Sequence, residues 1–353
     1  MSDVELRKIT KEFPRVKALD DVSFDVKDGE FFVLLGPTGA GKTTTLRVIA
    51  GLTKQEEGSV IFDGDPVDEL TPADRDVAFV FQQYSLYPTM SVYDNLAFPL
   101  RSPMRNLDEA EIKRMVEQAA EILRISPLLE RKCAHLSGGE MQRVSLGRAL
   151  VREPRIYLMD EPLSNLDAKL REALRVELQH IQKTQASTTL FVTHDQIEAL
   201  TMADRIAVLD RGRIIQIGTP DDIYDRPATT FVAQLVGTPR INLVKAGREN
   251  GRLSVKDSSL HISLPRGWDP PSEFLLGIRP EDIKPDNEGE FEGVLTLLEP
   301  LGVETILHLT SGEQTLLSLI PGMTSFKIGE TIKFNITQER LYCFNTDGNS
   351  LLC

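Results

Sequence analysis

The chain has 353 residues, a net charge of −13 and a pI near 5.0. Its length accommodates two domains and a large core, and its acidity argues against nucleic acid as the main partner, since phosphate-backbone binding wants a basic face. No apolar run approaches the ~20 residues of a membrane helix, Met1-Ser2-Asp3-Val4-Glu5-Leu6 lacks the apolar stretch of a signal peptide, and three scattered cysteines (Cys133, Cys343, Cys353) suit a reducing, cytoplasmic setting.

In chain order, the first strong signal is Phe31-Phe32-Val33-Leu34-Leu35, a short apolar run that predicts a buried parallel strand. It is followed by Gly36-Pro37-Thr38-Gly39-Ala40-Gly41-Lys42-Thr43, which matches G-x-x-x-x-G-K-[ST], and then by a helical stretch over 44–50 closed by Gly51. The glycines let the loop amides converge on one anion. The helix N-terminus adds partial positive charge, Lys42 a full one, and Thr43 a hydroxyl for Mg²⁺. This combination predicts binding of nucleotide phosphates. The apolar run Val77-Ala78-Phe79-Val80-Phe81 ends in Gln82, and Gln83 to Met90 crowds Tyr84, Leu86, Tyr87 and Met90 into one segment. Residues 107–125 carry Ile112, Val116, Ala119, Ile122 and Leu123 at helical spacing.

Leu136-Ser137-Gly138-Gly139-Glu140 opens the next helix, with Ser137 and Glu140 as a capping box and two glycines that leave the N-terminus bare enough to meet a second anion. One loop and two phosphate-seeking helix starts predict a head-to-tail dimer with each nucleotide held between subunits. Arg155-Ile156-Tyr157-Leu158-Met159 predicts a strand ending in Asp160 and Glu161. One acid there suits Mg²⁺, and the second suits a general base aimed at water. Asp167 is placed to cap a helix whose Leu170, Leu174, Leu178 and Ile181 form a core stripe. The strand over 189–193 ends at His194. After Gly237-Thr238-Pro239 short runs at 260–264, 274–278, 290–298, 303–309, 315–320, 332–336 and 340–344 predict an all-β domain.

Taken in this order, the loop, Leu-Ser-Gly-Gly-Glu and Asp160-Glu161 resemble the ATP-binding cassette (ABC) ATPases over about residues 1–236. The resemblance implies an α/β P-loop NTPase core with a helical subdomain at about 89–154, followed by a C-terminal all-β OB-like domain over 237–353. It implies that ATP is bound by Phe13, Gly36, Pro37, Thr38, Gly39, Ala40, Gly41, Lys42, Thr43 and Thr44. Phe13 stands where the family usually has a tyrosine against adenine; stacking needs only the ring. Glu161, His194 and Gln82 become catalytic, and Thr43, Gln82 and Asp160 hold Mg²⁺. Ser137, Gly138, Gly139 and Glu140 contact the partner subunit's ATP, and Asp167 lies in the loop that crosses the homodimer.

Gly277-Ile278-Arg279-Pro280-Glu281 and Leu298-Glu299-Pro300-Leu301-Gly302 are similar to the regulatory domain of importer ATPases of the maltose-transporter type. That likeness implies two permease subunits docked through Tyr84, Leu86 and Tyr87, and a solute-binding protein beyond them. It also implies a peripheral position on the cytoplasmic face of the inner membrane and a sugar as cargo. Importers of polyamine, iron or sulfate carry similar domains and are the alternative. ABC ATPases acting on nucleic acid are disfavoured by the acidic charge and the single uninterrupted cassette.

Overall fold

The computed structural model describes residues 2–102, 105, 107–152, 154–249 and 251–351, so Cys353 lies outside the described residues. The chain divides into two compact units, Met1–Pro220 and Asp221–Cys353.

The first unit opens with β1 (Val4–Phe13) and β2 (Val16–Val26), an antiparallel pair. Next come β3 (Phe31–Leu35), α1 (Lys42–Ile49), β4 (Glu57–Phe62), β5 (Asp65–Pro66) and β6 (Val77–Val80). Three helices follow: α2 (Val92–Ala97), α3 (Glu109–Ile122) and α4 (Gly138–Leu150). The unit closes with β7 (Ile156–Asp160), α5 (Ala168–Gln185), β8 (Thr189–Thr193), α6 (Gln196–Met202), β9 (Arg205–Asp210) and β10 (Arg213–Gly218).

A six-stranded sheet in the order β10-β9-β3-β8-β7-β6 forms the centre, and only β10 runs antiparallel to its neighbour. Strands β3, β7 and β8 are buried at every position. Helices covering both faces of a parallel sheet demand that, and it explains their unbroken apolar runs. A second sheet, β2-β1-β4-β5, shares one core with the first, in which Leu46, Val48 and Ile49 of α1 meet Leu34, Leu158 and Val192. Register brings the carboxyl ends of the parallel strands side by side: Leu35 pairs with Thr193, Val192 with Asp160, and Met159 with Val80. A ligand crevice belongs at that edge.

In the second unit, α7 (Pro220–Asp225) starts at the boundary and α8 (Thr230–Leu235) follows. Apart from two short 3-10 turns, Pro280–Asp282 and Gln338–Arg340, the described elements that follow are strands: β11 (Asn242–Glu249), β12 (Arg252–Val255), β13 (His261–Ser263), β14 (Glu273–Ile278), β15 (Ile283–Pro285), β16 (Phe291–Pro300), β17 (Glu304–Ser311), β18 (Gln314–Pro321), β19 (Thr331–Ile336) and β20 (Leu341–Phe344). Two five-stranded sheets, β13-β12-β11-β14-β20 and β15-β19-β16-β17-β18, enclose one apolar core.

The compact units part ahead of the boundary read from composition, and Arg279 gives the reason. Its buried guanidinium donates to the carbonyls of Ala233, Val236 and Tyr224, binding 221–236 to the β-rich unit. Strands β11 and β12 had no counterpart in the sequence reading. Each buries only two apolar side chains, Val244 and Ala246 in β11 and Leu253 and Val255 in β12, too few for an alternation to stand out in the sequence.

Candidate functional site

The loop between β3 and α1 packs tightly against β9 and β2. A Cβ on Gly36 would overlap the carbonyl oxygen of Leu209. Gly41 caps α1 at φ 111°, where a side chain would strike the carbonyl of Ala18. Both positions therefore need glycine. The first-turn amides of α1 have no partners within the helix. Lys42 is 5% exposed, and its ammonium donates to the carbonyls of Gly36 at 2.9 Å and Pro37 at 3.0 Å. Burial pulls its pKa down, opposed by Glu161 and Asp160.

Thr43 Oγ1 donates to Asp160 Oδ1 at 3.0 Å across the β3–β7 gap. Asp160 is buried at the end of β7, and that burial raises its pKa against the pull of Thr43. Glu161, one residue on, adopts the left-handed φ of 45°, and its N–H continues the ladder to Val192 O at 3.0 Å. The turn aims its carboxylate back into the site. There Oε1 lies 3.5 Å from Lys42 Nζ, while Oε2 accepts from Gln82 Nε2 at 3.4 Å and meets His194 Nδ1 at 3.0 Å. A carboxylate only accepts, so the proton of that last bond sits on Nδ1. Glu161 is sheltered and His194 stands at the rim, 14% against 52% exposed.

Residues expected from sequence thus converge from four strand ends: Lys42 and Thr43 after β3, Gln82 after β6, Asp160 and Glu161 at β7, and His194 after β8. Thr193, Asp195 and Glu198 were not singled out in the sequence. Thr193 Oγ1 donates to Glu198 Oε2 at 2.6 Å and accepts from Asp195 N at 2.9 Å, and Asp195 caps α6. Together they fix the backbone either side of His194. The spacing Asp195-x-x-Glu198 is itself a helix-start signal.

Other expected residues lie apart from this cluster. Ser137 forms the capping box with Glu140, its N–H donating to Oε2 at 2.7 Å. The glycines beside it adjoin Tyr84, whose hydroxyl would lie 3.1 Å from a Cβ on Gly138, and Leu166 and Leu170, which border Gly139. Asp167 caps α5 through Leu170 N at 3.0 Å. Phe13, at the end of β1, is 44% exposed, with the Lys11 ammonium 5.3 Å from its ring centre. Leu86 and Tyr87 line a cleft of about 550 Å³ together with Leu52, Phe79, Phe98 and Arg148. Tyr84 is not among the residues lining that cleft.

The ABC transporter family matches residues 19–164, and the TOBE domain family matches residues 276–344. The sn-glycerol-3-phosphate import ATP-binding protein UgpC of Psychromonas ingrahamii is 43% identical, over 98% of this chain and 95% of its own. The trehalose/maltose import ATP-binding protein MalK of Thermococcus litoralis is 42% identical, over 99% and 100% respectively. Among solved structures, a dimeric bacterial ABC transporter cassette superposes with a TM-score of 0.57 at 30% identity, covering 62% of this chain and 98% of that one. The same cassette bound to ADP and Pi after hydrolysis gives the same values. A cassette likeness over the first unit, a TOBE domain in the second and near full-length identity above 40% agree, and the chain belongs to the ABC transporter family as an import ATPase.

Proposed function

We propose that the chain hydrolyses Mg²⁺-ATP at sites shared between two copies of itself, and so drives import of a sugar or phosphorylated polyol through two permease subunits. The observation that carries this reading is the Glu161 carboxylate, sheltered at a strand end and bonded at once by Lys42, Gln82 and His194. A carboxylate so held orients and deprotonates the attacking water. Lys42 and the backbone N–H groups of residues 38–44 receive the phosphates, and Phe13 stacks on the adenine. His194 keeps Glu161 in place and reaches the γ-phosphate.

Thr43 and Asp160 fit Mg²⁺: they offer adjacent hard oxygens, and this ion takes one or two carboxylates and fills its other positions with phosphate and water. Gln82 completes the set. Held by these residues, the ion would supply positive charge that offsets the charge of the bound phosphates. Ser137 to Glu140 serve the nucleotide of the opposite copy, as the dimeric architecture of the similar cassette supports, and Asp167 lies at that interface. The cleft at Leu86 and Tyr87 receives a short permease helix, with Tyr84 joining the docking segment to the signature helix. On this reading the chain works at the cytoplasmic face of the inner membrane, with a solute-binding protein on the other side. The names of the relatives support a carbohydrate or glycerophosphate cargo over polyamine, iron or sulfate.

Glu161→Gln is the test. The purified variant is expected to bind ATP as before, to lose turnover by about 10²–10⁴-fold, and to accumulate as an ATP-loaded dimer on gel filtration. Turnover near that of the parent would remove Glu161 from the role of general base.

A further inference from the structure

The far end of α1, away from the phosphate loop, holds a buried charge. Arg75 is 3% exposed. Its Nη1 donates to Val48 O at 2.9 Å and to Ile49 O at 2.8 Å, both in the last turn of α1. Nη2 reaches Asp68 O and Nε reaches Leu70 O, each at 3.4 Å. A helix end leaves its last carbonyls unpaired and carries partial negative charge. One guanidinium answers both needs here. Gly51, at φ 72°, makes the room, since a Cβ there would lie 2.8 Å from Arg75 Nε.

Burying a guanidinium is costly unless its donors are all used. Burial lowers the pKa of Arg75. Asp68 acts on it through space while its own oxygens accept from Ser59 Oγ, Gln55 Nε2 and Val60 N. An apolar residue would leave the Val48 and Ile49 carbonyls unpaired, and the position of the guanidinium gives it a use beyond capping them. Two features point to it. The opposite end of the same short helix carries Lys42 and Thr43. On the other side, Arg75 stands two residues before β6, whose far end leads to Gln82. Arg75 therefore joins, from behind, two of the elements that meet at Glu161.

We propose that Arg75 is a positioning residue for nucleotide binding and hydrolysis: it sets the axial place of α1, hence of Lys42 and Thr43, and ties that helix to the strand that delivers Gln82. The proposal rests on the assignment of Lys42 and Thr43 to the phosphates, and Lys42→Ala is carried as a control for that assignment.

The experiment uses the full chain with Arg75→Lys, which keeps the charge and loses the fork, and Gly51→Ala, which crowds Nε and leaves Arg75 in the sequence. Binding of Mg²⁺-ATP is measured by calorimetry, KM and kcat by phosphate release, and the melting temperature by circular dichroism. Val60→Ala, a buried change in β4, reports what destabilisation alone does. Both test variants are expected to weaken ATP binding by about tenfold and to lower kcat as well, whereas Val60→Ala lowers the melting temperature with Kd and KM unchanged. Variants at 51 and 75 that lose only melting temperature would make Arg75 a structural cap and overturn the proposal. Unchanged binding in Lys42→Ala would overturn the loop assignment, and this proposal with it.

Discussion

Glu161 sits in a backbone conformation that side chains larger than glycine rarely adopt, and such strain persists only where the surroundings overdetermine it. Its N–H bond to Val192 and its three carboxylate contacts do so. The loop glycines divide by the same reasoning. Gly36→Ala drives a methyl into the Leu209 carbonyl, while Gly39, at φ 83°, has nothing within 4 Å of a would-be Cβ. Gly36→Ala is therefore expected to abolish ATP binding. Gly39→Ala costs about 1–2 kcal/mol for the left-handed backbone and leaves measurable binding by calorimetry. Equal effects at the two positions would mean that backbone conformation, and not contact with β9, governs the loop. Lys42, Glu161 and His194 were legible in the sequence because Lys42 closes a glycine-rich loop between a buried strand and a helix, while Glu161 and His194 stand one place past a buried strand. Arg75 and Thr193 were not, because their partners are backbone carbonyls or side chains that only folding brings near.

At the scale of elements, the segment around Tyr87, proposed above for docking, is bolted to the helices around it. Asn95 of α2 is fully buried; its side chain accepts from Tyr87 N at 2.9 Å and donates to Tyr87 O at 3.0 Å, to Ser91 O at 2.9 Å and to Cys133 Sγ at 3.2 Å. Arg148 of α4 donates to Ser85 O at 2.7 Å and lies 5.8 Å from the Tyr87 ring centre. Asn95→Ala would orphan buried backbone groups and is expected to cost about 1–3 kcal/mol of stability by denaturant titration. A neutral result would mean that water replaces the amide there. The Tyr87 ring also packs on Phe98 with centroids 4.8 Å apart, yet remains 40% exposed. Half in contact and half open is what a docking surface needs. Leu86→Ala with Tyr87→Ala is accordingly expected to impair pull-down of the permease, with about 1–4 kcal/mol lost per anchor, while ATP binding by the isolated subunit stays within twofold or so. Normal assembly and transport in the double variant would move the docking surface elsewhere. The Ser137 capping box was readable from four letters, whereas the separation of Tyr84 from Leu86 and Tyr87 was not, since it depends on which side of the segment meets α4.

At the scale of the molecule, two units with separate cores carry the two family likenesses. Within the second, Arg279 lies 4.0 Å from the Tyr224 ring centre while holding the carbonyls of Tyr224, Ala233 and Val236. Arg279→Met is expected to cost that unit about 2–4 kcal/mol, from orphaned carbonyls in the interior. Calorimetry should show its transition fall while the ATP-dependent transition of the first unit stays put. A shift of both together would mean the units unfold as one. Local pattern was enough to read the parallel core, the loop, the signature and the β-rich character of the C-terminal part, because buried strands, tight phosphate loops and helix caps are written in consecutive residues. The antiparallel sheet of β1 and β2, the strands β11 and β12, the allegiance of 221–236 and the role of Arg75 needed the folded chain. Each depends on residues far apart in sequence and on which polar groups find one another once water has been excluded.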